Sequence, residues 1–166
     1  VNKIVIRRLE KEDVTPDGDF IRILEQLSSS DNRLDLNALL WSQYEKQSHT
    51  HIVVAVANDV VIGTGSILIE QKFLRKGGVV GHLEDIVVDK TTRLTGVGRM
   101  IINHLVKIAK YSSCYKVILN CSEYNIPFYD KCGFYCSGYE MRMDLGEDKT
   151  YSKQMQDDLE PIEDDD

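Results

Sequence analysis

Residues 50–89 hold three β-rich runs in succession: "HIVVAVA" (51–57), "VVIGTGSILIEQ" (60–71) and "VVGHLEDIVVD" (79–89). Only Asn58 and Asp59 separate the first two. Two polar residues between alternating apolar runs are a strong hairpin signal, with the turn type left open. Consecutive strands on short connections must pair antiparallel. A different unit follows: the apolar-periodic "GVGRMIINHLVKIAKYS" and then the strand-like "YKVILNC". A strand–helix–strand unit requires a parallel pair through a right-handed crossover. The fold class is therefore mixed α/β (α+β), with a mostly antiparallel twisted sheet and helices on both faces.

The flanking segments complete the order. "KIVIRRL" (3–9) alternates and reads as a first strand. Asp13 or Thr15 offers an N-cap for a helix through "FIRILEQL". "LDLNALLWSQYEKQ" reads as a second helix, with Leu36, Leu39, Leu40 and Tyr44 toward one face. "KFLRKGG" is a basic connection ended by glycine. In the long helix Val97, Ile101, Leu105 and Ile108 fall in register. "NIPFYDKCGF" predicts a short helix stopped by Gly133 at C′, and "FYCSGYEMRMDL" predicts a final strand. One domain over residues 1–145 is expected, followed by an acidic tail (146–166) too polar to pack well.

Charge and composition exclude several classes. The formal charge of −7 argues against nucleic acid as a partner. No apolar run approaches the length of a membrane span, and no targeting segment opens the chain. The expectation is a cytoplasmic protein that needs neither membrane nor metal. The four cysteines form no CxxC pair and read as reduced thiols. The sequon at Asn120–Ser122 reads as chance without a secretory signal.

"RLTGVGRM" (93–100) is the candidate anion site. Gly96 and Gly98 stand where the long helix begins, and the first amides of a helix lack intrahelical partners. Glycine admits positive φ and a close ligand, the helix dipole favours negative charge, and Arg93 and Arg99 flank the turn. A phosphate or pyrophosphate is the natural guest. The dinucleotide fingerprint is ruled out by Ile101 at its third glycine, and the P-loop by its missing Gly-Lys-Ser/Thr. Taken alone, the loop could equally be a helix start that merely uses glycine.

The wider arrangement is more specific. "GHLEDIVVD", the Arg-x-x-Gly-x-Gly loop, "CYKVILNCSEYNIPFYDKCGF" and "LEQLSSS" together resemble the GNAT superfamily of N-acetyltransferases over residues 3–143. Within it, they resemble the branch acting on glucosamine 6-phosphate. The resemblance implies acetyl-CoA as co-substrate, with its pyrophosphate at Arg93, Leu94, Thr95, Gly96, Val97, Gly98 and Arg99. It implies a pantetheine arm lying like an extra strand along Ile86, Val87 and Val88, where a β-bulge splays the sheet. Asn120 and Asn125 match coenzyme-contacting positions. Leu94 and Thr95 depart from the family's usual glycine and polar residue, and Asn120 stands where relatives often carry a carboxylate.

Acyl transfer to an amine needs an aimed neutral amine, a donor for the developing oxyanion and a proton for the thiolate; proximity alone can supply on the order of 7–11 kcal/mol. By resemblance, an amide near Ile86 or Val87 faces the thioester oxygen. Tyr129 is the expected general acid, since phenol and thiol have comparable pKa values; from the residues alone it reads as a core aromatic beside Phe128. Glu84 and Asp85 match the pair that meets the amine and hydroxyls, with Ile86 beside them. Neighbouring strand residues face opposite sides, so joint side-chain contact needs the bulge. Ser28, Lys72, Arg75, Tyr115 and Lys116 match contacts to the sugar phosphate, and Arg142 is the nearest basic residue on the last strand. The basic residues could otherwise be a solvated turn and a sheet-edge lysine. The family is dimeric, with its last strand exchanged between subunits, so a homodimer is expected. Another small amine or peptide amine as acceptor, or a silent CoA-binding module, are the alternatives.

Overall fold

Five strands form one sheet in the order β1-β2-β3-β4-β5. The computed structural model describes residues 3–27 and 37–145. The elements are β1 (Ile4–Arg8), α1 (Asp19–Leu24), α2 (Asn37–Tyr44), β2 (Thr50–Ala57), β3 (Val60–Gln71), a single turn α3 (Leu74–Gly77), β4 (Val79–Val88), α4 (Val97–Tyr111), β5 (Cys114–Ile118) and α5 (Ile126–Lys131). The chain falls into two units, Val1–Tyr135 and Cys136–Asp166. All of these elements lie in the first.

β1 to β4 pair antiparallel, and β5 joins β4 in parallel. The mixed sheet expected from the order of runs is the one observed. Asn58 and Asp59 both take positive φ, at 51° and 63°, so the hairpin turn is type I′ and matches the strand twist. Side chains alternate across the sheet. Val53, Ala55, Ala57, Ile62, Ile67 and Leu83 pack with Val97, Ile101, Ile102, Leu105 and Ala109 of α4. Val54 and Val61 look the other way, onto Phe20 and Ile23 of α1 and Tyr44 of α2. No helix among the described residues is long and apolar enough to cross a membrane.

Three local expectations are corrected. Neither Asp13 nor Thr15 caps α1, which starts at Gly18 without a side-chain cap. Asp13 is held instead by both Nη atoms of Arg7 at 2.7 and 2.8 Å and by the Glu10 amide at 2.9 Å. In α2, Leu39 and Leu40 are about half exposed, at 54% and 52%, whereas Tyr44 is buried. The Tyr44 hydroxyl accepts the Ile52 amide at 3.1 Å and ties α2 to β2 by this residue. Leu36 lies outside the described residues. Finally, residues 135–145 are exposed and carry no regular secondary structure; a strand needs a ladder partner, and none pairs with it among the described residues.

Candidate active site

β4 and β5 run together only as far as His82 and Ile118. β4 continues through Leu83–Val88, where among the described residues it pairs with β3 alone. Its edge toward β5 thus has no ladder partner there, and a wedge opens between the strands. Leu83, Glu84, Asp85 and Ile86 line one wall of that cleft, and Leu119, Asn120, Cys121, Asn125 and Tyr129 another, with Leu27 at its rim; it holds about 230 Å³.

A bulge sits in that wall. Thr64 pairs with Val87 and Ser66 with Glu84, so Gly65 faces two residues, Asp85 and Ile86. Asp85 absorbs the extra residue by turning left-handed, at φ 52°, a conformation Asp tolerates better than most. Ser66 Oγ donates to the Glu84 carbonyl at 3.1 Å and holds the bulge in place. The bulge breaks strict alternation, which is what lets exposed Glu84 and Asp85 both border the cleft. Ile86 and Val88 pack toward α4, and Val87 toward the opposite core. Their side chains are structural, while the backbone edge beside them is open.

The two glycines of the loop do different work. Gly96 is the N-cap residue of α4 and left-handed at φ 78°, with no side-chain cap. Nothing lies within 4 Å of where its Cβ would stand. The first intrahelical bond runs from the Met100 amide to the Gly96 carbonyl at 3.0 Å, so the amides of Val97, Gly98 and Arg99 precede the ladder. Gly98 is helical, and a Cβ there would come within 3.1 Å of Phe128 Cζ; its smallness lets α5 lie against α4. Leu94 packs on the core and anchors the loop. Arg93, Thr95 and Arg99 are exposed. Exposed cations, uncommitted amides and clear space suit a pyrophosphate.

Tyr129 is half-buried, edge-on to Phe128 at 5.0 Å and to Phe134 at 6.1 Å. Burial, then the neighbouring Cys121 and Cys132, push its hydroxyl above the ordinary phenol range, so the phenol keeps its proton. Burial also raises the thiols of Cys114 and Cys132, and raised thiols are poor nucleophiles.

The expected phosphate ligands gather elsewhere, around α3. Arg75 and Lys76 are left-handed there, at φ 53° and 56°, in a turn closed by Gln71 Nε2 on the Gly77 carbonyl. Arg75 lies over the Tyr115 ring at 4.6 Å, and Lys116 Nζ approaches the same ring at 5.7 Å. Lys72 donates to Glu70 at 2.7 Å, whose other oxygen meets His82 at 2.6 Å. Lys72, then His82, hold the Glu70 carboxyl below its usual range. In the second unit, Arg142 Nε donates to Asp144 at 2.7 Å. Ser28 lies outside the described residues. Leu27, Leu119 and Cys121 border the cleft without having been expected; their only signal was adjacency to Ser28 and Asn120.

Comparisons with known proteins agree with this fold. The family model described as "Acetyltransferase (GNAT) family" matches residues 19–134. The rice (Oryza sativa subsp. japonica) protein named "Probable glucosamine 6-phosphate N-acetyltransferase 2" is 38% identical over 83% of this chain and 86% of its own. Glucosamine 6-phosphate N-acetyltransferase 1 of Dictyostelium discoideum is 38% identical over 86% of this chain and 91% of its own. The crystal structure of glucosamine-6-phosphate N-acetyltransferase from Arabidopsis thaliana superposes with a TM-score of 0.79 at 33% identity, covering 87% of this chain and 99% of that one. A family match over most of the chain, on a sheet split beside a bulged fourth strand, places this protein in the acetyltransferase (GNAT) family.

Proposed function

We propose that this chain is a glucosamine 6-phosphate N-acetyltransferase. It transfers acetyl from acetyl-CoA to the 2-amino group of D-glucosamine 6-phosphate, giving N-acetyl-D-glucosamine 6-phosphate and CoA. The observation that carries the reading is the wedge between β4 and β5, with the Asp85 bulge on one wall and Tyr129 on the other. The names of the relatives supply the acceptor.

The parts divide the work. The amides of Val97, Gly98 and Arg99, with Arg93 and Arg99, hold the pyrophosphate. The free edge of Ile86–Val88 takes the extended arm as a strand takes a neighbour, and an amide of that edge donates to the thioester oxygen as charge develops. Asn120 and Asn125 border the arm. Glu84 and Asp85 hold the ammonium and hydroxyls, and one of them or solvent accepts the amine proton. Tyr129 gives its proton to the departing sulfur. Attack is direct, so no protein acyl intermediate forms.

The phosphate ligands require a second subunit in this reading. The bulge at Asp85 is six residues from Val79, where β4 leaves α3, about 20 Å at strand rise. A sugar phosphate is far shorter than that. Lys72 and Arg75 therefore serve the cleft of a partner in a homodimer, and Tyr115 and Lys116 go with them, since Arg75 and Lys116 share the Tyr115 ring. Residues 139–145 support the pairing. Tyr139, Met141, Met143 and Leu145 alternate with Glu140, Arg142 and Asp144, and the apolar set is exposed: a half-buried strand in want of a ladder. The product class fits cytoplasmic synthesis of UDP-N-acetylglucosamine.

The test is turnover with acetyl-CoA and a panel of amines, followed by released thiol. Glucosamine 6-phosphate is the expected acceptor. Thiol release only with polyamine or peptide amines would remove the acceptor assignment, and none with any amine would leave a CoA-binding module.

A further inference from the structure

From Asp89 we infer that a buried carboxylate acts as a positioning residue, fixing the coenzyme loop to α1 and the residues just after it so that the loop keeps its place relative to the β4 edge. The inference rests on reading residues 93–99 as the coenzyme loop. Asp89 touches neither the cleft nor the loop glycines, and no step above uses it. It is nevertheless only 5% exposed, unusual for an acid outside a reaction centre.

Its position explains the burial. The Asp89 amide donates to the Ile62 carbonyl at 2.9 Å, continuing the ladder one step past β4. Asp89 Oδ2 accepts Arg22 Nη2 at 2.7 Å. Asp89 Oδ1 accepts Gln26 Nε2 at 3.3 Å, the Thr91 amide at 3.0 Å and Thr91 Oγ1 at 2.9 Å. Its carbonyl accepts the Thr92 amide at 2.9 Å. Gln26 also grips from the other side, its Oε1 accepting the Lys90 amide at 3.1 Å.

Each residue from 89 to 92 is thus held by Asp89 or by Gln26. The next residue is Arg93, and Leu94 then anchors on the core. At the far end, Gln26 is followed by Leu27 on the cleft rim. A single carboxylate joins the start of the donor loop to α1 and the residues just after it, next to the rim residue Leu27, through side chains 63 and 67 residues distant in sequence. Neutralising it takes from Arg22 the buried one of its two ionic partners, leaving Asp19 at 3.0 Å, and frees the loop to drift relative to the β4 edge.

Calorimetric titration of the full chain with free CoA, well below each variant's melting temperature, tests this. Asp89→Asn should weaken CoA binding about 10-fold, the low end of what one lost charge-assisted hydrogen bond is worth. Its kcat at saturating acetyl-CoA should stay within about 2-fold, since positioning is lost and chemistry is not. Arg22→Met removes the partner at a site 45% exposed, where folding tolerates the change, and should weaken CoA in the same direction. The double variant should bind no worse than Asp89→Asn alone, because both act through one pair. CoA affinity unchanged in folded Asp89→Asn or Arg22→Met, with only the melting temperature lowered, would make Asp89 a structural brace and overturn the inference. A wild-type chain that binds no CoA would overturn the functional reading as well.

Discussion

Ile86 Cδ1 lies 2.6 Å from where a Cβ on Gly65 would stand, and Ile101 Cγ2 lies 2.8 Å from it. Gly65 is the residue that faces the two-residue bulge, so its missing side chain is where the extra residue of β4 finds room. Both obstructing atoms belong to packed core side chains. Gly65→Ala should cost about 1–3 kcal/mol by overpacking. It should also lower kcat/KM at least several-fold, by pressing the bulge toward the cleft. Urea unfolding with acetylation kinetics checks this; a stable, fully active Gly65→Ala would remove the bulge from the geometry of catalysis.

Asp85 combines a left-handed backbone with a carboxylate at the cleft, and substitutions can separate the two. Asp85→Asn keeps a residue at ease in that conformation but removes the charge. Stability should change little, and kcat/KM for the amino sugar should fall about 10-fold or more if the carboxylate meets the ammonium. Asp85→Val adds a β-branched strain of roughly 1–2 kcal/mol and should lower stability too. Equal stability losses in both variants would mean that the carboxylate, not the backbone, holds the bulge.

Tyr129→Phe should lower kcat about 100-fold, within the usual range for a lost general acid, with CoA affinity nearly unchanged. Burial raises the hydroxyl pKa, so the protonated form persists above the ordinary value of about 10. The wild-type kcat should accordingly show no alkaline fall from this residue below pH 10. Rate profiles of the two proteins side by side decide it; equal kcat would leave Tyr129 as a packing residue beside Phe128 and Phe134.

The antiparallel run of strands, the long helix and the glycine at its start were legible because each rests on local pattern: period two, period 3.6 and glycine at a junction. The bulge was not readable from residue types, since Asp85 turns left-handed only when β4 registers against Gly65. Gly98 read as a ligand glycine from its spacing, and its missing side chain also makes room for Phe128, a partner brought by tertiary folding. Asp13 suited a cap by its type, but the Arg7 fork offers it two charge-assisted bonds. Asp89 closes the run "EDIVVD" in plain sight, yet its meaning lies in Arg22 and Gln26, on another element. Local chemistry proposes roles, and long-range partners decide between them.

Gly96→Ala and Gly98→Ala should fail differently. At Gly96 the φ of 78° makes any side chain strained, by roughly 1–2 kcal/mol, and a methyl enters the open space before the amides. CoA affinity should drop at least 10-fold on the anion-nest reading. At Gly98 the backbone is helical, so alanine favours the helix but pushes Phe128 from 3.1 Å. The effect there should fall on kcat, through the displaced α5 that carries Tyr129. Titration with CoA and steady-state kinetics separate the two; a Gly96→Ala protein with wild-type CoA affinity would remove the loop from the coenzyme site.

Acid should weaken the fold chiefly through Asp89 and Asp13, which are far less exposed than Glu70, the third carboxylate held low. The Arg22 hydrogen bond holds Asp89 well below the usual range, and the Arg7 fork lowers Asp13. A depressed folded pKa means that the native state binds fewer protons than the unfolded chain. Stability from such a group is complete above the unfolded value of about 3.9 and is lost as pH falls through the folded value. Arg7→Met removes the main cause for Asp13 and exposes the sign. Wild type should exceed the variant in urea midpoint at pH 6, and the gap should narrow steadily from pH 4 to pH 2 as Asp13 is protonated in both. A gap of constant size across that window would show that Arg7 contributes by packing its stem and not by its pairing with Asp13.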